Sequence, residues 1–383
     1  MSFIAKQYEN LEVSAMVAAS DSATLVKKMI DLSLGDHDIK TDSRIVKAAA
    51  ENKIIGHTMY THPLGDENFR EEIIKYIGKN YNHKLNLNNI MVTIGAGNAL
   101  YVSLKAVLNP GEEVIIIGPY YASYKDQIKG VGGKVVVVNT SEENNFMPTI
   151  NDIKEKITKK TKAIIVNSPV NPTGSIYTQQ LLQQIYDLSV EKKLIIMSDE
   201  VYTSFVYDNN KYTSMLEIDK NLTNTVVIKT MSKDYAMTGW RIGYMIASLE
   251  IINVARYIND GIAYSAPTIG QSGSIEALRL SDEITTYLRK IYDERIKYGF
   301  NRIKDIKNIH TRNPQGGIYL FVNISETGLS GEEFTNRLIK KGVLVLPGNI
   351  FGKKYNNYIR ITCNKDINIL KEAFDKIEEL CNF

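Results

Sequence analysis

The sequence predicts an α/β fold: a large domain whose mostly parallel sheet is sandwiched by helices, with a smaller α+β domain beside it. Two observations carry this. The middle of the 383-residue chain alternates short Val- and Ile-rich runs with stretches of helical length, the pattern of a sheet covered on both faces. Near Asn308 that alternation gives way to a looser mixture of strands and helices. The large domain is placed at residues 46–290, and the small one at 1–45 together with 291–383.

Each element follows from local pattern. Met91–Ile94, Glu113–Ile117, Lys134–Val138, Ala163–Asn167, Leu194–Asp199, Val226–Lys229 and Tyr244–Ala247 are short apolar runs bounded by turn residues, and are read as buried strands. Ala99–Leu108 and Thr178–Lys192 between them have helical length, and a long helical pattern runs from after Pro267 to about Asn308. Gly317–Val322, Val343–Leu346 and Tyr358–Thr362 are expected as strands of the small domain, with helices near Glu332–Lys341 and Ile367–Leu380. The first 45 or so residues are expected to pack with the small domain.

Composition narrows the class of function. The balance of 46 basic and 43 acidic residues leaves +3, too even for a nucleic-acid or anionic-membrane surface. Cys363 and Cys381 make neither a disulfide framework nor a metal-ligand spacing, so no metal is expected and a reducing compartment fits. The start carries charges and no apolar core of a signal peptide, and no apolar run approaches the roughly 20 residues of a membrane span. A cytoplasmic enzyme of small molecules is expected.

The most informative stretch is Thr230–Tyr244, which follows a predicted strand. It gathers the hydroxyls of Thr230 and Ser232, the amine of Lys233, the glycines Gly239 and Gly243, and the guanidinium of Arg241. An amine suits an aldehyde held as an imine, and hydroxyls with a guanidinium fork suit a phosphate dianion. Earlier, Thr93–Leu100 reads as a strand end, a glycine turn and a helix start, where backbone N–H groups of Ala96 and Gly97 favour an anion. Gly118–Tyr124 is a tyrosine-rich turn, and Asn167–Gly174 carries two prolines and a glycine in a rigid turn. Asp199 is a carboxylate at the end of an apolar strand, costly unless paired. Arg360 stands alone inside an apolar strand and calls for a carboxylate, from a structural ion pair or from a substrate.

Taken in chain order, Thr93–Leu100, Gly118–Tyr124, Asn167–Gly174, Ser198–Tyr202 and Thr230–Tyr244, with the flanking Tyr60–Arg70 and Tyr358–Thr362, resemble the class I/II (fold type I) aminotransferases dependent on pyridoxal 5'-phosphate (PLP), from about Leu32 to Cys363. The resemblance implies that PLP is held covalently on Lys233. Ala96, Gly97, Asn98, Thr230, Ser232 and Arg241 would form the phosphate cup. Tyr121 would stack on the pyridine ring, with Tyr120 as its rival for that place. Asp199 would face the pyridine nitrogen, and Tyr202 and Asn171 the phenolic oxygen. Gly35, Asn171 and Arg360 would meet the substrate, Arg360 clamping its α-carboxylate. Lys233, Asp199 and Tyr202 would carry the chemistry. Tyr60 resembles the tyrosine that reaches the phosphate of a neighbouring subunit, so a homodimer with shared active sites is implied.

The implied reaction moves an amino group from an L-amino acid to a 2-oxo acid, commonly 2-oxoglutarate in the family, by a ping-pong route. A carbon–sulfur β-lyase on the same fold is the alternative. A non-catalytic PLP-binding regulatory module is a remote one, since it would need a DNA-binding extension and the match begins near residue 30. Two departures stand out. His37 occupies the place of a usual proline in Gly35-Asp36-His37-Asp38, and is expected to be solvated rather than to touch the substrate. Gly97 stands where many aspartate-preferring relatives carry a lysine, which counts against a dedicated aspartate enzyme.

Overall fold

In the computed structural model, residues 3–4, 28–54, 56 and 58–382 are described; most of the N-terminal segment expected to join the small domain lies outside them. The described chain enters the fold with a short strand, β1 (Ile30–Asp31). Seven further strands build the central sheet: β2 (Ile90–Thr93), β3 (Glu113–Gly118), β4 (Lys134–Asn139), β5 (Thr161–Asn167), β6 (Ile195–Asp199), β7 (Thr225–Thr230) and β8 (Gly243–Ile246). Their order is β2-β8-β7-β6-β5-β3-β4. All seven predicted strands are present, each within about two residues of its expected ends.

The sheet is parallel except for β8, which runs antiparallel to both β7 and β2. β2 and β7 are buried along their whole length, as helices on both faces require. At the edge, β4 is mostly half-buried and its end residues Lys134 and Asn139 are exposed, which suits a strand with one free side. Because β3, β5, β6 and β7 point the same way, their carboxyl ends Gly118, Asn167, Asp199 and Thr230 lie along one edge. Thr93, ending β2, joins them, since Gly243 pairs with both Thr93 and Thr230.

The small unit holds β9 (His310–Thr311), β10 (Tyr319–Asn323), β11 (Val343–Leu344), β12 (Leu346–Pro347) and β13 (Tyr358–Thr362). An antiparallel sheet runs β12-β13-β10-β9, while β1 pairs in parallel with β11. The expected single strand Val343–Leu346 is therefore two: at Val345 the chain leaves β11 and joins the larger sheet as β12. Leu32 bridges the two sheets by bonds to Leu344 and Thr362 (both 2.9 Å), so Ile30–Leu32 packs with the small unit. The helix Ser43–Ile54 packs instead against Thr268–Arg279, and it runs across position 46. The long helical pattern is broken at Leu280 into Thr268–Arg279 and Ser281–Asp305, the second of which crosses position 290.

Candidate active site

A cleft of about 380 Å³ opens where the carboxyl edge of the large sheet faces the small unit, the place where open α/β sheets bind ligands. Lys233 projects into it from a four-residue helical turn, Met231–Asp234, that follows β7 directly. Thr230 caps that turn, its Oγ1 accepting the Ser232 N–H at 3.1 Å and donating to the Ile242 carbonyl at 3.1 Å. The Lys233 ammonium donates to the Gly35 carbonyl. Burial lowers its pKa to about 8; Asp36 opposes the shift, while Arg360 and Arg241 add to it. A lysine so placed is a usable nucleophile near neutral pH.

Asp199 ends β6 and is only 8% exposed. Its Oδ2 accepts from the Tyr124 hydroxyl, and its Oδ1 is buried without a partner. Burial raises its pKa to about 6; the Tyr124 hydrogen bond opposes the shift and Glu200 adds to it. A buried carboxylate oxygen left over in a cleft fits a cationic N–H donor from a ligand.

On the opposite wall β13 supplies Arg360, 4% exposed. Nη1 donates to Asn171 Oδ1 at 3.0 Å and Nη2 to the Ser33 carbonyl. The guanidinium carbon lies 4.3 Å from the centre of the Tyr319 ring and 5.0 Å from that of Phe351. Nε is buried and unpartnered. Among the described residues no carboxylate lies within ion-pair distance of Arg360, so the structural ion pair of the small domain is absent. Asn171 is held in turn, its N–H donating to Asn167 Oδ1 at 2.9 Å and Asn167 Nδ2 donating to the Asp199 carbonyl at 3.0 Å.

The third corner is the start of the helix Gly95–Val107, packed against Arg241. Gly95 has φ +71°, and a Cβ there would lie 2.6 Å from Arg241 Nη2. A Cβ on Gly243 would meet Ala96 N at 2.8 Å. Both glycines are thus required for the backbone N–H groups, the guanidinium and β8 to converge. Thr230, Ser232, Ala96, Gly97 and Arg241 all line this corner, a donor set that fits a phosphate dianion.

Of the residues expected from sequence, Gly35, Tyr121, Asn171, Asp199, Tyr202, Lys233 and Arg360 also line the cleft. Tyr121 does so and Tyr120 does not; Tyr120 is buried nearby against Gly352. Asn98 is not in the lining: its Oδ1 accepts the Ile94 N–H at 3.1 Å, which braces the glycine turn. Tyr60 is not in it either. It is 84% exposed and stacks edgewise on Tyr264, with ring centres 5.2 Å apart. The expected solvated His37 is mostly enclosed. Its Nδ1 meets the Tyr292 hydroxyl at 2.9 Å, its ring stands on Tyr292, and burial lowers its pKa to about 4. Sequence reasoning missed Tyr124, the partner of Asp199, and Tyr319, whose hydroxyl lies 2.6 Å from that of Tyr202.

Comparison with known proteins agrees with this geometry. The family model for aminotransferase class I and II matches residues 27–377. An aspartate aminotransferase of Pyrococcus abyssi is 37% identical over 94% of this chain and 93% of its own. One of Pyrococcus horikoshii is 33% identical over 98% and 97%. The crystal structure of an aromatic aminotransferase from Pyrococcus horikoshii superposes with a TM-score of 0.89 at 35% identity, over 94% of this chain and 98% of that one. With its lysine, aspartate and arginine gathered at the edge of a fold type I sheet, this chain belongs to the class I and II aminotransferases.

Proposed function

We infer that this chain transfers the amino group of an L-amino acid to a 2-oxo acid, with PLP held covalently on Lys233. The observation that carries the reading is Arg360: a buried guanidinium with a free Nε, facing Lys233 across one cleft, with no carboxylate of the described residues in ion-pair contact with it. A substrate carboxylate supplies what it lacks.

PLP bound here supplies the electron sink that lets the substrate's α-C–H bond break. The chain does the rest. Arg360 and Asn171 bind the α-carboxylate and fix which substituent faces Lys233. Asp199 would offer its unpartnered Oδ1 to the pyridine nitrogen and keep it protonated, while Tyr124 holds the other oxygen. Tyr202 would donate to the phenolic oxygen. Ala96, Gly97, Thr230, Ser232 and Arg241 would hold the phosphate, and Tyr121 would pack against the ring. Lys233 would hold the cofactor through its amine and would move the substrate's α-proton, as base and then acid.

Tyr60 serves a second copy in this reading. Tyr60 packs on Tyr264, and both are exposed, as is the neighbouring Met59 at 79%, which suits a twofold interface. The test supplies ¹⁵N-labelled L-amino acids with pyruvate or 2-oxoglutarate. Label in the new amino acid supports transamination. Labelled ammonia with no labelled amino acid indicates elimination of the β-lyase kind instead.

A further inference from the structure

Behind the cleft, on the far side of the sheet, lies an ion pair that is not part of the cleft's lining. Glu200 directly follows Asp199, and Lys229 directly precedes Thr230. Side chains alternate along a strand, so where Asp199 and Thr230 face the cleft, Glu200 and Lys229 face away from it. β6 and β7 are neighbours, with the Glu200 N–H donating to the Ile228 carbonyl at 2.9 Å. The two charged side chains meet at 3.2 Å, with exposures of 4% for Lys229 and 2% for Glu200. Among the described residues no other ion pair is buried on both sides; the next, Arg295 with Asp38, leaves Asp38 at 24%.

Both carboxylate oxygens of Glu200 are fully engaged, and Lys229 has a second acceptor besides it. Glu200 accepts from Ser198 Oγ at 2.9 Å, Ser214 Oγ at 2.7 Å and the Met215 N–H at 3.0 Å. Lys229 donates to the Tyr81 hydroxyl at 2.9 Å and lies over that ring, 4.6 Å from its centre. Tyr81 ends the helix Glu67–Tyr81, so the pair ties two strands, one helix and one turn together at a single point. Buried ion pairs seldom stabilise a fold better than packed apolar side chains would, but they do specify geometry. This one sits where the two strands end, beside the adjacent residues Asp199 and Thr230.

We propose that Glu200 and Lys229 are positioning residues, setting from behind the sheet the spacing between Asp199 on one side and Thr230 and Lys233 on the other. The proposal rests on the reading of the cleft as a PLP site. It separates stability from placement. Removing one partner strands a buried charge, so Lys229→Met and Glu200→Gln alone should each melt below the parent. The double variant Lys229→Met/Glu200→Gln leaves no charge and should melt close to the parent, while its cofactor site stays out of register.

The test measures four quantities on parent and double variant: melting temperature, PLP affinity of the cofactor-free enzyme, the pH midpoint of the cofactor's visible absorbance, and the split of kcat from KM. The expected double variant melts like the parent, binds PLP about tenfold more weakly, has a shifted midpoint, and shows kcat reduced about tenfold or more with KM little changed. Parental affinity, midpoint and kcat in a stable double variant would overturn the proposal. Should the double variant not fold, Glu200→Asp keeps the charge and shortens the reach by one methylene. A shifted midpoint at parental melting temperature then supports the proposal, and an unmoved one overturns it. A parent that binds no PLP overturns the reading of the cleft itself, before any variant is compared.

Discussion

At the scale of single residues, the structure makes different demands of Arg360 and Lys233. Arg360 has one hydrogen bond from each Nη and a buried, unpartnered Nε, and its worth lies in a fork offered to a carboxylate. Arg360→Leu should lower kcat/KM for every amino acid at least about 100-fold, from two charge-assisted bonds of roughly 1.5–3 kcal/mol each. Arg360→Lys should recover only part of this. Melting temperature should fall only modestly, because the substitution removes two hydrogen bonds but no ion pair among the described residues; a large fall with normal kinetics would make the residue structural. Lys233 is buried at a cost. Its folded pKa of about 8 lies below the ordinary 10.5, so between those values the unfolded chain binds more protons and stability rises with pH. Below 8 the cost stands in full. Cofactor-free Lys233→Met should therefore be more stable than the cofactor-free parent at pH 7, by up to roughly 3 kcal/mol, with the gain shrinking toward pH 10; melting curves across that range check it. The family motifs made most of these residues legible in sequence. Tyr124 and Tyr319 were not, since nothing in a run of amino acids ranks one tyrosine above the others in a chain with 23. His37 was misjudged because its solvation is decided by Tyr292, 255 positions away.

At the scale of elements, the phosphate corner depends on two backbones approaching closely. Gly95→Ala adds a Cβ against Arg241 at a residue with φ +71°. The left-handed conformation alone costs about 1–2 kcal/mol for a residue with a Cβ, so PLP affinity should fall about tenfold, read by titration of the cofactor-free protein. An unchanged affinity would show that this helix start does not hold the phosphate. Strand existence was legible because each buried strand is a compact apolar run between turn residues. Strand direction was not: β8 carries the same kind of run as its parallel neighbours, and only the short connection from β7 through Thr230–Ile242 returns it antiparallel. The split at Val345 was equally hidden, because both halves are apolar and buried and differ only in which strand they pair with.

At the scale of the whole molecule, the cleft is built by two units and, in the proposed dimer, finished by a third contribution. Arg360 comes from the small unit, Lys233 and Asp199 from the large sheet, and exposed Tyr60 is left for a partner. Mixing nearly inactive Tyr60→Ala and Lys233→Ala chains should restore activity, up to about a quarter of the parent's if half the dimers are hybrids with one intact site each. No recovery, or a fully active monomer in sedimentation, would put Tyr60 outside the site. The motif singled out Tyr60, but not its contact with Tyr264, a residue 204 positions along the chain. All of these expectations hang on one covalent bond. Borohydride reduction of the PLP-loaded enzyme, followed by digestion and mass spectrometry, tests it directly. The account predicts that the cofactor's mass is fixed to the peptide containing Lys233 and to no other; label on a different lysine, or none at all, would contradict it.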